Sequence, residues 1–265
     1  MTELANRLEA VRAEIKKTDA KILTLDIERL PGTAYVWEPK TRYIPARNFK
    51  EWPRMLCFAA RWYGDRSYIF EAEWAGGRER MIKKAYDLLD EADVVVTFNG
   101  DRFDIPHMKS DFLEAGYAPY TPFKSVDLYR EVKQFGFESK SLDSVTRRLG
   151  RPGKVLAYDM DMAWASIAGD TEAQVTLQEY NEGDVELTEW LHDRLMGWMP
   201  NAPFKGVNGK TICCNQCGSS ELTRVEEKDY RAVLLTYELH RCNVCEGLVR
   251  SSWNVSRIAG SRGVH

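Results

Sequence analysis

An apolar run at residues 21–28, KILTLDIE, ends in Asp26 and Glu28, two carboxylates one residue apart. As a strand it sends successive side chains to opposite faces, so Leu23, Leu25 and Ile27 share one side and the acids the other. Neighbouring acids on one face of a buried strand repel each other and lose hydration unless a cation lies between them. The alternative is a strand whose acidic end has reached solvent. Further carboxylates bear on that choice. The apolar strand DVVVTF (93–98) stops at Asn99-Gly100 and a helix is expected from about Phe103, so Asp104 sits at the kind of strand-to-helix junction where α/β sheets bind ligands. It also has a structural explanation as an acid at a helix N-terminus. Asp184 lies four residues after Tyr180 in a helical stretch from Thr171 to Met196, which stacks the two on one face. Four carboxylates and a tyrosine match the needs of phosphodiester hydrolysis by two Mg²⁺ or Mn²⁺ ions held about 3.5–4 Å apart.

A second chemistry-bearing group lies near the C-terminus. Cys214-x2-Cys217 and Cys242-x2-Cys245 form two knuckles separated by 24 residues, the ligand set of one tetrahedral Zn²⁺. In a reducing compartment such clustering reads as metal binding rather than a disulfide framework. Cys213 can replace Cys214 only with altered knuckle geometry. The module is too small for a core of its own, so zinc would supply its folding energy. It is either a structural staple and protein surface, or a nucleic-acid dock built from Arg224, Arg231, Arg241 and Arg250 with Tyr237 and Trp253.

These groups are carried by 265 residues, 44% apolar and 29% charged, enough for one sizeable core plus a small module. The net charge of −3 does not mark a general nucleic-acid binder, but its distribution is uneven. From Asn201 onward nine Lys/Arg accompany six Asp/Glu, whereas the first 200 residues carry 28 and 34. No apolar run reaches membrane-spanning length and the N-terminus has no secretory core, so a cytoplasmic protein away from membranes is expected.

Residues 1–20 space Leu4, Leu8, Val11 and Ile15 as an amphipathic helix. Strands are expected around Thr33–Trp37, Met55–Tyr63 and Ser67–Glu71, with a Gly64-Asp65 turn between the last two. Gly77–Leu89 reads as a crossover helix, Phe103–Ala115 as another. A helix follows Ser141, capped by Ser139 or Ser141 and ended by Gly150. Asp127 and Asp143 have sufficient explanations as turn and cap residues. Arg147, Arg148 and Arg151 gather near Lys154, either as a solvated face or along a phosphate backbone.

Three motifs in order resemble those of the DEDD superfamily of 3′–5′ exonucleases: Asp26-Ile27-Glu28, then Asn99-Gly100-Asp101-Arg102-Phe103-Asp104, then Tyr180-Asn181-Glu182-Gly183-Asp184. The middle motif, following an apolar strand, gives the set its specificity. The third motif places the chain with the tyrosine type (DEDDy), similar to the proofreading domain of family-B DNA polymerases, because Glu179 stands where the histidine type has its His. The resemblance implies a ribonuclease-H-like α/β fold, a mixed five-stranded sheet flanked by helices, plus a small C-terminal zinc ribbon. It implies that Asp26, Glu28, Asp104 and Asp184 ligate two Mg²⁺ (or Mn²⁺), that Tyr180 orients the attacking water, and that Glu28 also touches the terminal 3′ hydroxyl. Asn99 and Phe103 would hold the last nucleotides. Cys214, Cys217, Cys242 and Cys245 would hold one structural Zn²⁺. The family commonly has a small residue after the first-motif Glu; Arg29 stands here.

The expected organisation is an N-terminal helix (1–20), an exonuclease domain (21–198), a linker (199–210), a zinc ribbon (211–255) and a flexible tail (256–265). The expected substrate is a single-stranded or frayed 3′ end, DNA more than RNA, with a replication or recombination protein as a candidate partner. The chain looks similar to free-standing phage and prophage exonucleases that end in a zinc ribbon, and would then act in the host cytoplasm. Two rivals remain: a ribonuclease-H-like endonuclease or resolvase, and a catalytically silent nucleic-acid-binding module.

Overall fold

The opening run forms β1, Ile22–Leu30, at the centre of a five-stranded sheet. The structure, a computed structural model, describes residues 6–7, 9–13, 20–154, 158–199, 212–232 and 235–255. Leu4, Leu8 and Ile15 of the expected N-terminal helix, the expected linker from 200 to 210 and the expected tail from 256 to 265 lie outside the described residues. The chain divides into two units, Lys21–His192 and a second made of Met1–Ala20 with Asp193–His265.

In the first unit β2 (Arg54–Trp62) and β3 (Ile69–Ala72) extend the sheet antiparallel on one side of β1. On the other side β4 (Val94–Thr97) and β5 (Lys124–Asp127) run parallel to it, giving the order β3-β2-β1-β4-β5. The parallel neighbours are reached through α1 (Arg78–Glu91) and α2 (Asp104–Glu114), as parallel pairing requires. Both helices pack on the face of Leu23, Leu25 and Ile27, where Met81, Ala85, Leu89, Met108 and Phe112 are buried. The opposite face carries Leu30, Leu56 and Cys57 and is covered by α4 (Met160–Ala168) and α5 (Thr171–Leu195), with Ala163 and Leu177 inside. A shorter helix, α3 (Leu142–Arg148), starts at Ser141, whose hydroxyl accepts the Ser144 N–H. The acids therefore sit on the α4–α5 face of a strand whose apolar residues are sealed against α1 and α2. Each fully buried Leu or Phe contributes about 1.5–3 kcal/mol, which holds a strand bearing like charges in the middle of the sheet.

Two details differ from the sequence reading. Only Thr33–Ala34 of the expected strand at Thr33–Trp37 is extended; it pairs with Phe49–Glu51 in a separate two-stranded sheet, and Tyr35–Trp37 are exposed. The helix α4 has no counterpart among the expectations, although Asp159 caps it through the Met162 N–H and Gly169, at φ +95°, ends it.

In the second unit Arg12, on the described part of the N-terminal helix, donates to Asp193 at 2.9 Å. The C-terminal strands are β6 (Leu222–Arg224), β7 (Tyr230–Ala232), β8 (Leu235–Cys242) and β9 (Leu248–Asn254). β8 pairs antiparallel with each of the other three. Val233 and Leu234 lie outside the described residues.

Candidate active site and cysteine cluster

β4 pairs with β1 only from Ile22 to Thr24, so β1 runs on past the end of its parallel neighbour. That overhang is where Asp26 and Glu28 stand. The register with β2 shifts between Glu28 and Arg29: Glu28 lies opposite Cys57 and Arg29 opposite Met55, which leaves Leu56 as the extra residue of a bulge. Arg29 then turns away from the carboxylates. Its guanidinium donates to the Pro53 carbonyl at 2.9 Å and lies 3.2 Å from His107 Nε2.

The turn after β4 explains why the middle motif begins with Asn and Gly. Asn99 is left-handed at φ +68°, a conformation Asn tolerates better than most residues. A Cβ on Gly100 would lie 2.3 Å from Thr97 Oγ1, so any side chain there collides. Asp127 holds the turn, accepting the N–H groups of Asn99 at 2.7 Å and Tyr129 at 3.0 Å, in keeping with its sequence reading as a turn and cap residue.

Carboxylate oxygens of Asp26, Glu28 and Asp184 come within 4.8 Å of one another. Asp104 is adjacent and buried but has a separate anchor: its Oδ1 accepts the Ile27 N–H at 3.0 Å, fastening the start of α2 to β1. Asn181, three residues before Asp184, donates to Asp26 Oδ2 at 2.7 Å. Tyr180 is partly buried with its hydroxyl 2.7 Å from Lys154 Nζ, and the same ammonium lies 2.5 Å from Asp184 Oδ2. Asn99, Asp26, Lys154 and Asp184 line a cleft of about 830 Å³. Phe103 is 41% exposed, edge-on to His107, and is not part of that lining.

Lys154 and Asn181 are the site neighbours that sequence reasoning did not assign. Lys154 sits in a loop gripped from α3: Asp143 Oδ1 accepts its N–H at 2.7 Å and Arg147 Nη2 donates to its carbonyl at 2.8 Å. The turn leading to it needs Gly153, because a Cβ there would lie 2.0 Å from Asp143 Oδ1. The Arg-rich segment beside Lys154 was the available signal.

Burial raises Asp26 well above the usual carboxylate range, and repulsion from Asp104, Asp184 and Glu28 adds to it. Burial, reinforced by Asp184, lifts Glu28 to about 8. Asp104 is pushed up to about 7 by burial, against the pull of the Ile27 N–H. Burial also raises Asp184, with Lys154 opposing it. Burial disfavours the Lys154 charge, yet Asp184 and Tyr180 together hold its pKa above the normal lysine value. One ammonium cannot compensate four ionised carboxylates, so full ionisation of this set of hard oxygen donors calls for further positive charge, which divalent cations would supply.

The raised values set a pH dependence. The folded state holds protons on Glu28 and Asp104 that the unfolded chain releases at lower pH, so stability from these groups falls as pH rises from about 4 to about 8. In EDTA the thermal midpoint of unfolding should therefore be lower at pH 8 than at pH 5.5. Added Mg²⁺ should raise it more at pH 8, where the ligands are available. Equal increments at both pH values would contradict this account.

In the second unit the sulfurs of Cys214, Cys217, Cys242 and Cys245 lie within 4.8 Å of one another, all four residues buried. Cys214 Sγ is 3.5 Å from Cys245 Sγ, and Cys217 Sγ is 3.6 Å from Cys242 Sγ. A disulfide would bring a pair to about 2.05 Å. Tetrahedral zinc with bonds of about 2.3 Å spaces its sulfurs by about 3.8 Å, so the cluster fits Zn²⁺. Cys214 rather than Cys213 belongs to the group. The two knuckles turn through Gly218 and Glu246, both left-handed, and the N–H groups of these residues donate to the carbonyls of Cys214 and Cys242.

The sheet order, the covering helices and the carboxylate-lined overhang of β1 define an α/β protein of the ribonuclease-H-like class. A family model described as RNase_H superfamily matches residues 56–196, and the chain belongs to that family. DNA polymerase 1 of Saccharolobus solfataricus is 27% identical over 132 residues, covering 41% of this chain and 14% of the polymerase. DNA polymerase 1 of Sulfurisphaera ohwakuensis is 26% identical over 185 residues, covering 62% and 20%. The chain thus spans a fifth or less of the length of these curated relatives. Among solved structures, the family B DNA polymerase of Pyrobaculum calidifontis matches with a TM-score of 0.53 at 20% identity, over 68% of this chain and 25% of that one, a likeness of fold. Among the described residues no helix is long and apolar enough to cross a membrane.

Proposed function

We propose that this ribonuclease-H-like nuclease is a metal-dependent 3′–5′ exonuclease of the tyrosine type. It takes single-stranded 3′ ends, DNA in preference to RNA, and releases nucleoside 5′-monophosphates. The observation that carries the reading is the convergence of Asp26, Glu28 and Asp184, with Tyr180 one helical turn from Asp184 and Asp104 fastened to the same strand. The DNA preference follows the curated relatives, which are DNA polymerases. Residues 21–198 would form the exonuclease domain and 211–255 a zinc ribbon.

Asp26, Glu28, Asp104 and Asp184 would hold two Mg²⁺ or Mn²⁺, which supply the charge that activates water and stabilises the leaving 3′ oxygen. The chain's own groups do the rest. Lys154 donates to the Tyr180 oxygen, so the hydroxyl proton of Tyr180 is directed elsewhere and can orient the attacking water. Asn181 fixes the Asp26 carboxylate against β1. Glu28 accepts the terminal 3′ hydroxyl, and Asn99 and Phe103 steady the last nucleotides. The ammonium of Lys154, kept charged by Asp184, lies beside the place where phosphate charge grows.

Single strands labelled at the 3′ or 5′ end, with Mg²⁺ or Mn²⁺, test the reading. A 3′ label should leave at once as mononucleotide, a 5′ label should appear in a shortening ladder, and a closed circle should survive. Cutting of the circle would favour an endonuclease. Tyr180→Phe should lower kcat by on the order of 10–100-fold with KM nearly constant, as misorientation of a reactant does. A change confined to KM would remove the role given to the hydroxyl.

A further inference from the structure

Of the eight aromatic side chains exposed among the described residues, four lie between residues 35 and 52: Tyr35 at 71%, Trp37 at 99%, Tyr43 at 75% and Trp52 at 59%. Leaving two indoles and two phenols in water forgoes a large burial energy, and clustered exposed apolar groups mark a contact surface. Their neighbours in sequence set the kind of contact. Lys40, Arg42, Arg47 and Lys50 are interleaved with them and exposed, against Glu38 and Glu51, giving the segment 33–53 a net charge of +2. The rest of the first 200 residues carries −8. Among the described residues none of the four cations is in ion-pair contact with a carboxylate.

The segment is anchored to the site strand. It leaves β1 after Leu30, closes through the Thr33–Ala34 and Phe49–Glu51 pairing, and returns at Pro53. Gly32 lies beneath that return, where a Cβ would be 2.7 Å from the Glu51 carbonyl oxygen and from the Pro53 ring. Arg29 reaches across to the Pro53 carbonyl and to His107, whose ring meets Phe103. Trp52 is stacked on Phe49 at 4.4 Å with an interplanar angle of 11°, a platform already in place.

We infer that this aromatic, cationic arm binds the single strand upstream of the 3′ end, its rings stacking on unpaired bases and its cations meeting phosphates. The inference rests on nucleic acid being the substrate of the carboxylate site. Single strands are favoured over duplex because only unpaired bases offer a face to a side chain. The arrangement also accounts for Arg29, which braces the root of the arm beside the residues that hold the terminal nucleotide.

The test uses the full chain carrying Asp26→Asn, which binds without cutting, and a fluorescently labelled 20-nucleotide single strand of mixed sequence. Trp37→Ala and Tyr43→Ala should each weaken binding by about fivefold or more, while Trp37→Phe retains most of it. Lys40→Ala and Arg42→Ala should each flatten the slope of log affinity against log salt by about 0.7. In the cutting-competent chain, Trp37→Ala should raise KM on the 20-mer at constant kcat and leave cleavage of a trinucleotide unchanged. Undiminished affinity in both aromatic variants would overturn the proposal and make the arm a protein-contact surface. Equal losses on a duplex would overturn the stacking. Binding is read without cleavage, so a parent chain that binds the 20-mer through the arm yet leaves a trinucleotide uncut would fail the catalytic reading alone.

Discussion

Replacing Asp26 with Asn should lower the rate of metal-dependent nucleotide release by on the order of a thousandfold without weakening the fold. The substitution keeps the shape of the side chain and an oxygen that can accept from Asn181. It removes one charge from a group whose oxygens lie within 4.8 Å of those of Glu28 and Asp184. Metal charge stabilisation is worth several kcal/mol in a transition state, and each 1.36 kcal/mol is tenfold in rate. Removing one of several mutually repelling carboxylates should, in EDTA at pH 8, hold the thermal midpoint level or raise it. The two readouts thus move apart, which separates a catalytic ligand from a structural residue whose loss lowers both. Activity within tenfold of the parent would sink the assignment.

The second large effect concerns the four cysteines. Elemental analysis of the purified chain should find one zinc per chain, and Cys242→Ser should lose it. Four buried sulfurs with spacings of 3.5 and 3.6 Å between pairs are a ligand set, and the strands around them are three to eight residues long. A module of this size has too little core to fold alone, whereas structural zinc contributes about 10–16 kcal/mol at neutral pH. Chelation should make the segment from 212 to 255 sensitive to trypsin while the sheet of the first unit keeps its unfolding transition. A protease-resistant, metal-free segment would refute the zinc assignment.

The alternation of KILTLDIE was legible because a strand has a period of two and one face is sealed: Leu23, Leu25 and Ile27 face α1 and α2, and the acids face the other way. The turn after β4 was legible because Asn and Gly are demanded there by backbone conformation and by Thr97. Lys154 was not. Its contact with Asp184 joins a loop to a helix 30 residues later, with no periodicity between them, and a lysine among arginines reads as surface. The separate anchoring of Asp104 was equally hidden, since a bond to the Ile27 N–H depends on where β4 stops. The strand expected at Thr33–Trp37 was overextended because aromatic and β-branched residues favour strands only where a sheet surface receives them. Here Tyr35, Val36 and Trp37 face solvent.

The overhang of β1 past β4 has a consequence for solubility. A strand edge without a neighbour is a template on which another chain can add, the usual first step toward aggregation. In this protein that edge is stoppered by side chains: Asp104 takes the Ile27 N–H, and the Tyr158 hydroxyl donates to the Arg29 carbonyl. The overhang is thus kept from capturing another chain partly by Asp104, an acid of the proposed catalytic set.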